Sequence, residues 1–381
     1  MQFIDLGAQR TRIEHKITAA VDAVVKSGAY ILGPQVGEFE RRLAEYVGVK
    51  HVVGCASGTD ALLIPLMAKG IGRGDAVFVP GFTFAATAEV VALAGAEPVF
   101  VDIDPDTYNM DPRSLEEAIA MIETEGRLQP KAVIPVDLFG LAADYTAIGR
   151  IAARHGLMVI SDAAQSIGGE ADNKRCGSFG NVASTSFYPA KPLGCYGDGG
   201  AVMTDDDELA EVMRSIAFHG MGTSQYDNVR IGLTSRLDTI QAAILIEKLA
   251  ILEEEMEARQ RVAARYHEGL SDLVKAASNP PGCRSAWAQY AIELPERDAL
   301  QAHLKSRDIP SVIYYVKPLH KQVAYERFPV APNGLPVSEA KPKTILCLPM
   351  HAYLSEEGQE RVIGEIRSFV TANPERIPAA E

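Results

Sequence analysis

Two charged residues stand where charge is costly. Asp162 closes an apolar run, Leu157–Ser161, and Lys191 follows a β-branched and aromatic run, Val182–Tyr188. Lys191 lies between Ala190 and Pro192, and Gly194, Gly197, Gly199 and Gly200 come soon after it. That is an odd setting for a solvating charge. A lysine in a partly apolar pocket has a depressed pKa, which suits imine formation and proton shuttling. A carboxylate at the end of a buried strand needs a partner, because an unpaired charge is expensive to desolvate. A protonated pyridine nitrogen is such a partner. Lysine and carboxylate together are the polar pair that pyridoxal 5'-phosphate (PLP) chemistry requires: one forms the Schiff base, the other keeps the ring an electron sink. The competing readings are a surface lysine and a structural salt bridge or helix cap.

Three further stretches carry polar or aromatic groups near strand ends. In Cys55-Ala56-Ser57-Gly58-Thr59-Asp60, a strand runs through small residues into a helix. Backbone N–H groups and hydroxyls at a helix start suit an anion such as a phosphate; the alternative is an ordinary N-cap by Ser57 or Thr59. Gly81-Phe82-Thr83-Phe84 follows the next strand, and an aromatic there either stacks on a planar cofactor or belongs to the core. Gln165, three residues after Asp162, is within reach of a ring oxygen.

The elements that must position these groups alternate. Strands are expected at His51–Cys55, Ala76–Pro80, Pro98–Ile103, Ala132–Val136, Leu157–Ser161, Val182–Phe187 and Gly200–Thr204. Helices are expected at 9–27, 35–47, Gly58–Lys69, Thr83–Gly95, Pro112–Glu123, Asp144–His155 and 206–219. Strands that are apolar almost throughout imply an α/β fold, a mostly parallel central sheet with helices on both faces. Ligands then bind at the carboxyl ends of the strands, where every residue named above falls. A single long helix is expected over 235–270. After residue 280 the texture changes, with strands at Tyr290–Leu294, Ile309–Val316 and Thr344–Leu348 and helices near 297–307 and 355–371. This divides the chain into a large domain, 1–250, and a small C-terminal α+β domain, 251–381.

Composition bounds the function. The chain has 381 residues, 47% hydrophobic and 23% charged, an ordinary globular mix. A net charge of -13 argues against nucleic acid or an acidic membrane surface as the main partner. Five cysteines without a CxxC pair suit reduced thiols. The start has no signal-peptide core, and no apolar run approaches the ~20 residues of a membrane span. A soluble cytoplasmic enzyme without a metal centre is expected. A nicotinamide Rossmann enzyme is disfavoured, because no GxGxxG follows the first strand.

Taken together, GCASGTDAL, PGFTFAAT, VDIDPDTYNMDP, VISDAAQS, SFYPAKPLGCYGDGGA and SRLDTIQAAI, in this order, resemble the DegT/DnrJ/EryC1/StrS family. Its members are PLP-dependent sugar aminotransferases of fold type I, the aspartate aminotransferase fold. The resemblance implies that Lys191 bonds the cofactor and moves the proton, and that Asp162 holds the pyridine nitrogen. It sets Gln165 by the phenolic oxygen and stacks Phe84 on the ring. Ser57, Gly58, Thr59 and Ser186 match the phosphate-holding positions. It further implies a homodimer with shared sites, in which Thr234 of the neighbouring subunit stands where many members carry Asn. Tyr315 and His320 match a loop that tends to line the sugar site, although Tyr314 and Val316 depart from the usual residues. The reaction implied is ping-pong transfer from L-glutamate, which leaves as 2-oxoglutarate, to a nucleotide-linked keto-sugar for polysaccharide or secondary-metabolite biosynthesis. His219–Gly222 and Asn228–Gly232 resemble the branch acting on UDP-linked 3-keto hexuronic acids. There Arg230, reaching the neighbour's site, reads the sugar carboxylate through two parallel hydrogen bonds; a nucleotide phosphate or plain solvent are its other possible partners. The alternatives are a transaminase of a neutral 4-keto-6-deoxy (or 3-keto) nucleotide sugar and, more remotely, a non-catalytic PLP-binding sensor.

Overall fold

The computed structural model describes residues 1–224 and 226–372; the last part of the expected small domain, 373–381, lies outside the described residues. The apolar runs form one seven-stranded sheet. Its strands are β1 (His51–Cys55), β2 (Asp75–Pro80), β3 (Glu97–Val101), β4 (Gln129–Val133), β5 (Met158–Asp162), β6 (Val182–Ser186) and β7 (Gly200–Thr204). Their spatial order is β1-β7-β6-β5-β4-β2-β3. Pairings from β6 through β5, β4 and β2 to β3 are parallel, and β7 runs antiparallel to both its neighbours. The carboxyl ends of β1 to β6 therefore share one edge, and the loop carrying Lys191 leaves β6 there.

Both faces of the sheet are covered. Val77, Val79, Val99, Ala132 and Val159 pack with Leu115, Ile119 and Ile148 of the helices Pro112–Glu125 and Tyr145–His155. Toward β1 and β7, Phe39 and Leu43 of the helix Pro34–Val47 pack with Phe187, Leu237 and Leu245. A second, antiparallel sheet joins Lys275–Ala276, Tyr290–Glu293 and Ile345–Leu348. Tyr266, Leu300, Val362 and Ile366 form its core. Among the described residues, no helix is long and apolar enough to cross a membrane.

Two expectations need correction, and one helix carries no sequence expectation. The helix expected over 235–270 is two helices, Thr239–Leu249 and Leu252–Leu270. The chain breaks where Ile251 turns inward to pack with Ile13, Ile17 and Ile244. Glu253, Glu254 and Glu255 then open the second helix, where its dipole favours negative charge. The segment 309–316 is no continuous strand. Val312 alone exchanges hydrogen bonds with Cys347, after which the chain swings toward the main sheet and sets Tyr315 edge-on to Phe82. Finally, Pro336–Thr344 is a helix that the Pro-rich texture hid. Asp102 captures its start by accepting from the Val337 and Ser338 N–H groups.

Candidate active site

Asp162 ends β5 and is buried. Its backbone is pinned to the chain just past β4, donating to Pro135 O (2.9 Å) and accepting from Asp137 N (3.0 Å). Its Oδ1 accepts from Ala164 N and its Oδ2 from Thr87 Oγ1, both at 3.2 Å. Burial raises the Asp162 pKa, while these donors and the Lys191 charge pull it back. The strand thus delivers a carboxylate that neutral donors only partly satisfy. Thr87 is a member of this site that the sequence did not single out. It lies in the helix Ala86–Leu93, one turn after Phe84, and a lone Thr in an apolar helix carries no signal.

Lys191 reaches the same place from the neighbouring strand. Phe187, just past β6, is fully buried edge-to-face on Phe39, and its backbone is clamped by Cys195 N and Gly199 O. The loop between must turn tightly: a Cβ at Gly194 would come within 2.5 Å of Pro189 O. Lys191 N donates to Tyr188 O at the top of this turn. Among the described residues no hydrogen bond or ion pair holds its ammonium. Burial lowers the Lys191 pKa and the Asp162 charge raises it. The pair is electrostatically coupled yet not bonded, which leaves an amine free to react and a carboxylate free to accept.

The phosphate candidates lie beside them. Ser57 is the N-cap of the helix Gly58–Ala68, accepting from Asp60 N at 3.1 Å, so the capping role exists. The first N–H groups of a helix have no partner within it and face outward. A Cβ on Gly58 would sit 2.6 Å from Ser186 Cβ, so the helix start and the end of β6 touch only because residue 58 is glycine. Gly58→Ala is expected to cost about 1–3 kcal/mol of stability by overpacking and to weaken cofactor retention. Thermal melting and dialysis against free cofactor measure both; an unchanged value in each would contradict this packing.

The two aromatics of Gly81–Phe84 divide. Phe82 is core, whereas Phe84 is 59% exposed. Gln165 accepts from Phe139 N (2.8 Å) through its amide oxygen and donates to Tyr315 OH (3.4 Å). Burial drives the Tyr315 pKa up, and the Asp162 charge adds to this, so the phenol belongs to the same cluster. His320 lies beneath: it is buried against Phe100, its Nε2 bonds Glu339 at 3.0 Å, and burial lowers its pKa. Thr234 and Arg230 have no hydrogen bond or ion pair to any of these groups. They lie on a hairpin, 218–234, that projects from the chain, and Thr234 Oγ1 is 2.8 Å from His219 Nε2.

The residues present therefore fit PLP. They supply a free amine, a buried carboxylate coupled to it, a glycine-made cradle at a helix start and an exposed aromatic. Comparisons with known proteins agree. The profile of the DegT/DnrJ/EryC1/StrS aminotransferase family matches residues 11–367. The chain is 49% identical to the UDP-2-acetamido-2-deoxy-3-oxo-D-glucuronate aminotransferase of Pseudomonas aeruginosa, over 93% of this chain and 96% of that one. It is 44% identical to a pleiotropic regulatory protein of Geobacillus stearothermophilus, over 96% and 97%. The crystal structure of a DegT DnrJ EryC1 StrS aminotransferase from Brucella abortus is similar at a TM-score of 0.97 and 67% identity, covering 97% of this chain and 99% of that one. The chain belongs to the DegT/DnrJ/EryC1/StrS aminotransferase family, is an enzyme, and takes pyridoxal 5'-phosphate as its cofactor.

Proposed function

We propose that this enzyme transfers the amino group of L-glutamate to a UDP-linked 3-keto hexuronic acid of the 2-acetamido-2-deoxy-3-keto-glucuronate type. The observation that carries amino transfer is the placing of Lys191 and Asp162 at one sheet edge, with no side-chain partner on the lysine among the described residues. The acceptor rests on the printed activity of the Pseudomonas aeruginosa relative. When bound, PLP supplies the electron sink and carries the amino group between the two half-reactions. Lys191 would hold the cofactor through its amine and move a proton at its Nζ. Asp162 keeps the pyridine nitrogen protonated, and Thr87 orients that carboxylate. Ser57, Gly58, Thr59 and Ser186 hold the phosphate, and Phe84 covers the ring. Gln165, bonded to Tyr315 OH, would serve the phenolic oxygen, and Tyr315 and His320 belong to the loop that would line the sugar. In this reading residues 1–250 form the cofactor domain and 251–381 the small domain.

The site is completed in a homodimer. Tyr226 and Ile231 of the projecting hairpin are 87% and 84% exposed. Tyr30, Ile31 and Leu32, also exposed, pair with the start of the helix Thr239–Leu249, just past the hairpin, through the Ile31–Asp238 bridge and the Thr239 N–Tyr30 O bond. Apolar surface of this kind calls for a partner, and a second copy is the one that brings a hairpin to each cleft. Thr234 then serves the neighbour's phosphate and Arg230 the sugar carboxylate. The cysteines are all free, in keeping with a reducing compartment, and we assign the enzyme to the cytoplasm.

Arg230→Ala is expected to raise the KM for the uronate about 30-fold or more, the worth of a bidentate charge-assisted pair. The L-glutamate half-reaction should be unchanged. Steady-state kinetics with each substrate measures this, and an unaltered uronate KM would remove Arg230 from the acceptor site.

A further inference from the structure

A second buried carboxylate stands behind Asp162 and has no place in the chemistry above. Asp137 follows β4 and is fully buried. Its Oδ1 accepts from Tyr145 OH (2.6 Å) and Ala143 N (3.0 Å), and its Oδ2 accepts from Ser166 Oγ (2.6 Å). Among the described residues it has no cationic partner. Such a group is costly, and a neutral amide or apolar residue would fill the space with less desolvation.

What Asp137 touches gives the charge a use. Tyr145 OH also contacts Ser161 Oγ at 2.5 Å, one residue before Asp162. Ser166 follows Gln165 directly. The Asp137 N–H donates to Asp162 O. Two residues on, Phe139 N donates to Gln165 Oε1, from a backbone at φ 59°. One side chain and its own loop therefore grip the turn 161–166 before, at and after the two groups that face the cofactor. Tyr145 is itself fixed, stacked on Phe179 at 4.5 Å.

We infer that Asp137 is a positioning residue for amino transfer: it holds the Asp162–Gln165 turn in register with Lys191 and places a second negative charge behind Asp162. The inference rests on the proposed roles of Lys191 and Asp162. Three titratable groups face Asp137: Tyr145, the thiol of Cys176 and Asp162. Burial lifts the Asp137 pKa to about 6 against the pull of its donors.

The test is Asp137→Asn in the PLP-loaded enzyme, after borohydride reduction of the parent has been checked for cofactor mass on the Lys191 peptide. Without that mass in the parent, the cofactor role of Lys191 fails and the role of Asp137 falls with it. With it, Asp137→Asn should keep the trapped mass, lose about tenfold in kcat and hold the L-glutamate KM within about twofold. The pH midpoint of the bound cofactor's absorbance change should fall by about half a unit, because a nearby negative charge has been removed. A folded variant in which either kcat or the midpoint stays at the parent value overturns the inference. If Asp137→Asn does not fold, Ser166→Ala decides. It removes one of the donors that fix the Asp137 carboxylate and should lower kcat about threefold with the L-glutamate KM held; a parental kcat there overturns the inference equally.

Discussion

Lys191→Ala is expected to abolish amino transfer, by at least about 10⁴-fold in kcat, because it removes both the proposed covalent attachment point and the proposed proton carrier. The protein should remain folded. Lys191 makes no hydrogen bond or ion pair among the described residues, and its pKa lies below the ordinary lysine value. A base whose folded pKa is lowered costs stability while pH is below that value, and the cost fades as pH rises toward the unfolded pKa. Removing it should leave the melting temperature at pH 7 no more than a few degrees from the parent's. Borohydride reduction should trap cofactor mass on the Lys191 peptide of the parent and none in the variant. A variant with more than about a hundredth of parental kcat would show that another group carries the proton.

Asp162→Asn should lower kcat about 10³-fold while the cofactor still attaches to Lys191. The substitution preserves shape, and one amide oxygen can still accept from Thr87 or Ala164. It removes the charge that favours a protonated pyridine nitrogen. The stability sign is opposite to intuition for a buried carboxylate. Burial raises the Asp162 pKa, so its ionisation costs stability as pH rises from the unfolded value of 3.8 through the folded one. The cofactor-free variant should therefore be at least as stable as the parent at pH 8. Loss of trapped cofactor, rather than loss of rate, would mean that Asp162 builds the pocket and not the chemistry.

The part of this site that the sequence made legible is the part that local physics determines. Asp162 and Lys191 stand out because each interrupts an apolar strand context, and Ser57-Gly58 because small residues join a strand to a helix. Those signals are contiguous in the chain. Thr87, Asp137 and Tyr145 carry none, because spatial neighbours β2, β4 and β5 come from distant segments and only the sheet order brings these residues to Asp162. The sheet itself was readable, since strands buried on both faces are nearly uninterrupted apolar runs. The failures have the same origin. The break at Ile251 and the turn after Val312 answer to packing partners far along the chain, Ile13 and Ile17 in one case and Phe82 in the other. The assignment of Thr234 and Arg230 to the neighbour's site came from resemblance. In the chain itself they are exposed on a hairpin set by Gly220 and Gly232, where a Cβ on either would collide with the opposite strand.

The most direct measurement is a single transfer of labelled nitrogen. The PLP-loaded enzyme is treated with ¹⁵N-L-glutamate, freed of small molecules, and divided between a UDP-linked 3-keto hexuronate and a neutral 4-keto-6-deoxy nucleotide sugar. The account predicts ¹⁵N in the 3-amino uronate at about one equivalent per subunit and little in the neutral sugar. Label that goes equally to the neutral sugar, or that never leaves the enzyme, would contradict it.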